Sequence, residues 1–406
     1  MSERARLLEE NARRATATIA LIMQRLLRSL GAALALGCAA ACGGDEPSPQ
    51  ANPGVAPTAP AADTPVPATR FHDETRTKPA EQGMLLNGLR HGPWVEWDLD
   101  GKVSAKGAYK DDLKVGEWRL FFPDGSVKAQ IQYTNGKREG VVLMNHPNGA
   151  RFTEGAFLDD REHGMWVSYY PEGGKLDEGS YNGGKRVGMW TDYYPSGARK
   201  RQGSYQDGLE IGRFQTWHEN GQLQAEGDYA QGQMVGVWRG WYADGKPAEE
   251  ANWVAGQLDG EARRWHPSGQ LMTQGAWKEG KRTGRWSTFF PSGAKHSEGE
   301  FVDGLQSGEW LFFHDNGQVL NRGTMLAGKK HGAYEAFFPD GKPQSKGEFS
   351  EDVQSGTWTF WRADGSKEGQ GPMVAGKREG AWEYFLPDGS PDTTLSGVYQ
   401  AGELKR

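Results

Sequence analysis

Residues 164–188 read GMWVSYYPEGGKLDEGSYNGGKRVG, and the same pattern returns along most of the chain. The glycine that opens it recurs every 24 residues without a slip, at Gly92, Gly116, Gly140, Gly164, Gly188, Gly212, Gly236, Gly260, Gly284, Gly308, Gly332, Gly356 and Gly380. A fixed period of this length is typical of repeat proteins, in which each unit buries its apolar face only against its neighbours. The period predicts an elongated array and argues against a compact globular domain.

We number each unit from this anchor glycine, taken as position 0. Position 9 is glycine in all thirteen units and position 7 is proline in eight of them, as in Pro123-Asp124-Gly125. This triplet predicts a type I turn closed by a left-handed glycine, a common connection within a β-hairpin. A second connection, of the form Gly-Lys-Arg-x-Gly in Gly136–Gly140, is polar, and we expect it to form the longer loop between hairpins.

Aromatic residues occupy three columns, at position 2 in eleven units, position 5 in twelve and position 17 in ten, with Tyr399 displaced by two residues in the last unit. These columns contain all 16 tryptophans. Position 15 is usually glycine, as at Gly179, and we expect its missing side chain to leave room for a ring from a neighbouring strand. Positions 2 and 5 project to opposite faces of a strand. The fold class predicted is therefore all-β, an elongated array of about 13 antiparallel β-hairpins with aromatic cover on both faces.

Some units depart from this pattern: Val142 and Asn145 replace strand rings, Ala262 replaces a tryptophan, and Ile131 and Ala251 replace position-15 glycines. We expect the third unit, residues 140–157, to be the weak or bent point. The last unit carries two extra residues before Tyr399, and we expect it to act as a cap.

The N-terminus carries a different signal. A short basic segment from Met23 precedes an apolar stretch, Leu30–Ala41, that is too short to span a bilayer. Residues 1–41 resemble a bacterial lipoprotein signal peptide, with Cys42 rather than Cys38 as the lipidated residue because a polar segment starts directly after Cys42. An ordinary cleaved signal is the alternative.

Glutamates before Met23 are unusual in a signal peptide, so Met23 is a plausible true start. Residues 42–82 are rich in Pro, Ala and Thr, and they contain too few large apolar residues to offset the entropy lost on ordering. We expect this stretch to be a disordered tether, with the repeat domain at 83–406.

Catalytic, metal and cofactor sites find no support in the sequence. Both cysteines lie before the repeats, and the net charge of −6 argues against nucleic-acid binding. The position-6 histidines are His146, His218, His266 and His314, and their separation of roughly 20–30 Å prevents them from sharing a metal. We expect them to be solvated or packed on rings, and we expect no enzyme activity.

The stretch from Gly164 to Gly188 closely resembles the MORN repeat, and it is nearest to a bacterial variant branch whose members often carry a YwqK-like antitoxin label. The resemblance covers residues 83–404. It implies an array of β-hairpins that acts as a scaffold contacting proteins or lipids.

Three functions remain open. The first is a protein-interaction scaffold, anchored to a membrane in the bacterial cell envelope and facing the periplasm or the surface. The second is a glycan or peptidoglycan binder, which predicts a row of rings open to solvent. The third is an antitoxin or immunity protein. We expect the binding surface to include Trp217, Trp241 and Trp265, and an unknown protein to be the partner.

Overall fold

The computed structural model describes residues 64–405. The predicted signal segment 1–41, both cysteines and most of the predicted tether lie outside the described residues, so the predictions of lipidation at Cys42 or Cys38 and of a start at Met23 stay predictions. Within the described part, no helix is long and apolar enough to cross a membrane.

The fold is all-β, as predicted, and consists of 30 strands. The first fifteen are β1 (Val66–Phe71), β2 (Pro79–Leu86), β3 (Leu89–Trp97), β4 (Val103–Lys110), β5 (Leu113–Phe121), β6 (Val127–Thr134), β7 (Lys137–Asn145), β8 (Arg151–Leu158), β9 (Arg161–Tyr169), β10 (Lys175–Asn182), β11 (Lys185–Tyr193), β12 (Arg199–Gln206), β13 (Leu209–Trp217), β14 (Leu223–Ala230) and β15 (Gln233–Trp241). The rest are β16 (Pro247–Val254), β17 (Gln257–Trp265), β18 (Leu271–Lys278), β19 (Lys281–Phe289), β20 (Lys295–Val302), β21 (Leu305–Phe313), β22 (Val319–Leu326), β23 (Lys329–Phe337), β24 (Pro343–Ser350), β25 (Val353–Trp361), β26 (Lys367–Val374), β27 (Lys377–Arg378), β28 (Gly380–Tyr384), β29 (Gly397–Gln400) and β30 (Glu403–Lys405).

The strands form one open antiparallel meander in which each strand pairs with the next one along the chain. The short strands β27 and β28 are the two halves of a single strand, and both pair with β26. The chain thus advances by one hairpin per 24-residue unit, as the period predicts.

The sheet starts earlier than the predicted boundary at residue 83. Strands β1 and β2 form a hairpin from Val66 to Leu86, most of which lies inside the stretch 42–82 that was predicted to be disordered. The count from anchor glycines missed this hairpin because Ala68 stands where the period would place a glycine. Asp73 organises the connecting turn, and its carboxylate accepts hydrogen bonds from Thr75, Thr77 and the Lys78 backbone.

Of the two predicted connections, the Pro-Asp-Gly turn is present: the backbone N–H of Gly125 donates to the carbonyl of Phe122 at 2.9 Å. The prediction that the Gly-Lys-Arg connection is the longer loop was wrong. This connection is the shorter one, because Asn135 and Gly136 have φ of 48° and 85° and Lys137 already belongs to β7. Two successive positive φ values define a type I′ turn, whose twist matches that of the flanking strands.

The anchor glycine lies at an irregularity in the strand pairing. Its φ is positive in all thirteen units, for example 66° at Gly212. On β13, the three residues Gly212–Phe214 lie opposite Gly203 alone, because the ladder jumps from the pair Gln202–Gln215 to the pair Ser204–Ile211. Glycine is required here by backbone conformation, since an added Cβ at Gly212 would meet no atom within 4 Å.

The position-15 glycine is required for a different reason, which confirms the predicted space for a ring. Trp118 at position 2 is fully buried and lies directly over Gly107, the position-15 glycine of the preceding unit. A Cβ on Gly107 would lie 2.2 Å from the indole Cδ2. The indole Nε1–H donates to the carbonyl of Ala108 at 3.0 Å, and eight other position-2 tryptophans make the equivalent bond.

The departures from this pattern occur in matched pairs. Ile131 replaces the glycine where Val142 replaces the tryptophan, and the two are cross-strand partners in a buried cluster. The third unit is thus filled at this point, contrary to our expectation of weakness. At Ala251 and Ala262 both side chains are small and only half-buried. The underfilled point of the array lies at this second pair.

Candidate interaction surface

The face that carries the rings of positions 2 and 17, which we call the ring face, is filled by aromatic packing. Successive rings meet edge to face with centroids 4.9–6.5 Å apart. The longest unbroken series is Phe157, Trp166, Tyr181, Trp190, Tyr205, Phe214, Tyr229 and Trp238. Edge-to-face contacts add about 0.5–1.5 kcal/mol each beyond burial. The rings of this face are therefore committed to holding neighbouring units together.

Basic side chains at position −2 cover these rings. The Lys114 Nζ lies 3.8 Å from the Trp118 ring centroid, and the guanidinium of Arg186 lies 4.0 Å from that of Trp190. Arg138, the arginine of one Gly-Lys-Arg motif, lies 4.1 Å from the Phe157 ring. Such contacts stabilise a cation over an aromatic face. The sequence predicted only a polar loop here; the signal for this role was the spacing of four residues from Lys or Arg to the next position-2 ring.

In several units the side chain at position 6 forms a hydrogen bond to the backbone of the next unit. His146 Nε2 lies 2.9 Å from the carbonyl of Tyr169, and His218 Nε2 lies 2.8 Å from that of Trp241. His266 and His314 make the equivalent bonds at 3.0 Å. Since a carbonyl only accepts, each Nε2 carries the proton. The predicted ring packing holds for His146, which meets Phe152 edge to face at 4.9 Å.

Tyrosines at position 6 play the same part. The hydroxyl of Tyr194 donates to the carbonyl of Trp217 at 2.8 Å, and that of Tyr242 donates to Trp265 at 2.6 Å. The sequence did not predict these bonds, although the alternation of His and Tyr in one column, each with a polar hydrogen at the far end of a ring, was the available signal.

The opposite face, which we call the back face, carries the position-5 rings. Trp217, Trp241 and Trp265 occupy equivalent places on β13, β15 and β17, and each is half-buried. The structure thus places the three predicted surface residues in one row, two strands apart. The guanidinium of Arg199 covers Trp217 at 4.9 Å from the ring centroid.

Carboxylates lie between these tryptophans. Glu226 accepts from Gln215 at 3.1 Å, and Glu250 accepts from Arg239 at 2.8 Å. The back face of this region therefore presents half-exposed indoles beside held carboxylates and guanidinium groups, a mixture typical of surfaces that bind a polar partner with an apolar component.

Further along the back face, two tyrosines replace tryptophan. Burial and a hydrogen bond to Glu154 raise the pKa of Tyr169 to about 12, and burial and a bond to Glu178 raise that of Tyr193 to about 12. The hydroxyls donate to these carboxylates at 2.7 and 2.6 Å. Both phenols are neutral at physiological pH and act as hydrogen-bond donors.

The ring face contains an unusual carboxyl pair on β10 and β11. Asp177 and Asp192 are cross-strand partners, and burial raises the pKa of Asp192 above its ordinary value despite nearby Arg201 and Arg186. Across residues 64–405, no three His, Cys, Asp or Glu side chains are grouped so that they could hold a metal ion.

Comparison with known protein families gives six matches to the MORN repeat variant, at residues 114–135, 210–231, 234–255, 258–279, 306–326 and 330–351. Each match starts at or close to position −2 of a unit. No curated protein matches the chain.

The solved structures that match contain chains much longer than this one. TcdB2-TccC3 without its hypervariable C-terminal region shares 9% identity over 76% of this chain and 20% of its own, with a TM-score of 0.14. TcdB2-TccC3-Cdc42 shares 10% over 76% and 21%, with a TM-score of 0.12. The Photorhabdus luminescens Tc holotoxin pore shares 10% over 84% and 24%, with a TM-score of 0.15. This chain spans only about a fifth to a quarter of their length, and scores this low carry no argument about its arrangement.

Proposed function

Because this chain is built from repeats of the MORN variant, we propose that it is a non-catalytic scaffold that binds another protein along its back face. The observation that carries the proposal is the difference between the two faces. Most position-2 indoles of the ring face are buried, whereas Trp217, Trp241 and Trp265 stay half-exposed in succession. Indoles used in packing have no surface left for a partner, whereas half-exposed indoles can cover one.

The proposal includes a place in the cell. The basic segment, the apolar stretch and Cys42 support a lipid anchor in the bacterial envelope, with the sheet facing the periplasm or the surface. Anchoring would hold the scaffold at a membrane while the repeats remain free to contact a partner.

Affinity capture tests the scaffold. Tagged full-length chain is used to capture partners from solubilised envelopes, beside a variant with Trp217→Ala and Trp241→Ala. Trp361→Ala, at the same position of a distant unit, is the matched control. We expect one stoichiometric protein that the double variant loses and the control keeps, with unchanged circular dichroism in both variants. Capture that ignores the double substitution would contradict the proposed surface.

A glycan binder is the second candidate, and the row of tryptophans beside Glu226 and Glu250 favours it. Flat indoles spaced two strands apart, roughly 10 Å, can stack on alternate rings of a polysaccharide while the carboxylates accept from hydroxyl groups. Retention of the wild-type chain on isolated cell wall, lost with Trp217→Ala and Trp241→Ala and accompanied by no captured protein, would favour this candidate over the scaffold.

A further inference from the structure

The back face changes character in three consecutive units. At position 1, Val141, Met165 and Met189 expose 57%, 61% and 57% of their surface. The flanking units carry Glu117 and Arg213 at the same position, and Arg213 forms ion pairs with two carboxylates at 3.1 and 3.2 Å. Apolar side chains are therefore exposed to solvent at the position where the flanking units have charged side chains.

One further side chain widens this surface, Leu158, which exposes 49% of its surface. We call the set Val141, Leu158, Met165 and Met189 the apolar patch. Exposed apolar side chains grouped in this way commonly mark an interaction site, whereas single ones do not.

Large and small side chains alternate regularly across the strands of the apolar patch. Each large position-1 residue faces a small partner on the next strand, in the pairs Val141–Ala156, Met165–Ser180 and Met189–Ser204. Large side chains therefore alternate with small ones across the strands. The large ones recur every second strand, roughly 10 Å apart, and leave notches between them.

Basic side chains run along both sides of the patch. Position −3 supplies Lys137, Arg161 and Lys185, all exposed, beside the tight turns, and position 11 supplies Arg151, Lys175 and Arg199 on the other side. Nearby carboxylates pair with Lys137, Arg151 and Lys175. A partner that fits must be apolar along its middle and acidic on its flanks.

We propose that the apolar patch docks an amphipathic helix of the partner protein, lying across the strands with acidic residues on both flanks. Residues seven apart on a helix recur on one side at about 10.5 Å, which matches the spacing of the notches. A second copy of this chain would set its own basic columns near these ones, so like charges disfavour it. The inference rests on the proposed scaffold function and names the chemistry of its partner.

A synthetic helix tests the inference. The probe is a labelled peptide of about three heptads with leucine along one stripe and glutamate on both flanks, and fluorescence anisotropy measures its binding to the full-length chain. We expect Met165→Glu to weaken binding at least about tenfold, and the uncharged Met189→Gln to weaken it less. Val237→Glu, at the same position of another unit and 41% exposed in the wild type, should leave the affinity unchanged.

Two control peptides test the acidic flanks and the leucine stripe of the probe separately. A peptide with lysine in place of glutamate, and one with the leucines dispersed, should each bind at least about tenfold more weakly. Equal binding of these peptides, or unaltered binding by Met165→Glu, overturns the inference. The inference is also overturned if the acidic peptide does not bind and Met165→Glu instead abolishes dimerisation of the chain. The same holds if the peptide does not bind and Met165→Glu abolishes flotation of the chain with anionic vesicles. Capture of a partner through Trp217 and Trp241 alongside a failed peptide would overturn this inference alone and leave the scaffold.

Discussion

Alanine at Gly107 should destabilise the array through a steric clash with Trp118. An ideal Cβ would lie 2.2 Å from the indole, and ordinary contact requires about 3.5–4.0 Å. The ring is held by its bond to Ala108 at 3.0 Å and by the Tyr109 ring at 5.0 Å, so it cannot retreat freely. Overpacking costs about 1–3 kcal/mol and a lost hydrogen bond about 1 kcal/mol, so we expect about 3 kcal/mol in total.

Gly323→Ala is the matched control. Gly323 occupies the same position of another unit, but a tyrosine, Tyr334, lies over it, and a Cβ would lie 3.0 Å from the ring Cδ2. Neither Gly107 nor Gly323 has a positive φ, so alanine strains neither backbone. We expect the control to cost less than about 1 kcal/mol.

Urea denaturation followed by circular dichroism measures the loss, with hydrogen exchange of β4 and β5 to localise it, because repeat arrays do not always unfold in one step. A rescue sharpens the test. Gly107→Ile combined with Trp118→Val copies the natural pair Ile131 and Val142, and it should recover part of the stability that Gly107→Ile loses alone. Equal effects of Gly107→Ala and Gly323→Ala would refute the reasoning, as would the absence of any rescue.

Three further predictions concern other parts of the sheet. Ala255 has a φ of 48° in a tight turn, so Ala255→Gly should stabilise its hairpin by about 1 kcal/mol in urea denaturation, with no gain contradicting a left-handed turn. Ala251→Gly combined with Ala262→Trp should restore the packing of an indole over a position-15 glycine. Hydrogen exchange of β16 and β17 should slow by an amount that corresponds to a gain of about 2 kcal/mol in local stability. Unchanged exchange would show that this point is not underfilled. Burial raises the pKa of Asp192 above 3.8, so the folded state binds this proton more tightly than the unfolded state and becomes less stable when the carboxyl ionises. Asp192→Asn should therefore raise the urea midpoint more at neutral pH than below pH 3.8. An increase that does not depend on pH would contradict the raised pKa.

Much of the fold follows from the sequence, because the decisive residues are glycines with specific physical requirements. The fixed period gives the hairpin array, Pro123-Asp124-Gly125 gives its turn, and a glycine in register with an aromatic column gives the seat for a ring. Ile131 and Val142 follow the same rule, that the residues at positions 15 and 2 together fill one volume: the smaller valine is compensated by the larger isoleucine.

Other features depended on backbone details that composition does not reveal. Gly136 begins a Gly-Lys-Arg string that suggests a flexible loop, but the positive φ of Asn135 and Gly136 closes the turn before Lys137. The arginine of this string then lies over a ring, as at Arg138. The first hairpin was missed because Ala68 breaks the glycine pattern.

Trp217, Trp241 and Trp265 share a register and lie in one row, and their role in binding stays a prediction. The apolar patch was not predicted. Val141, Met165 and Met189 share position 1 of the unit, and the pairing of strands brings Leu158, at position 18, onto the same face.

The central claim is that this protein acts by binding another protein with its back face. Photo-cross-linking in intact cells tests it most directly, with a benzophenone amino acid placed at Trp217 or Met165 on the back face, or at Thr216 on the ring face. We predict one discrete cross-linked protein from Trp217 or Met165 and none from Thr216. Cross-links from Thr216 alone, or none from either back-face site, would contradict the account.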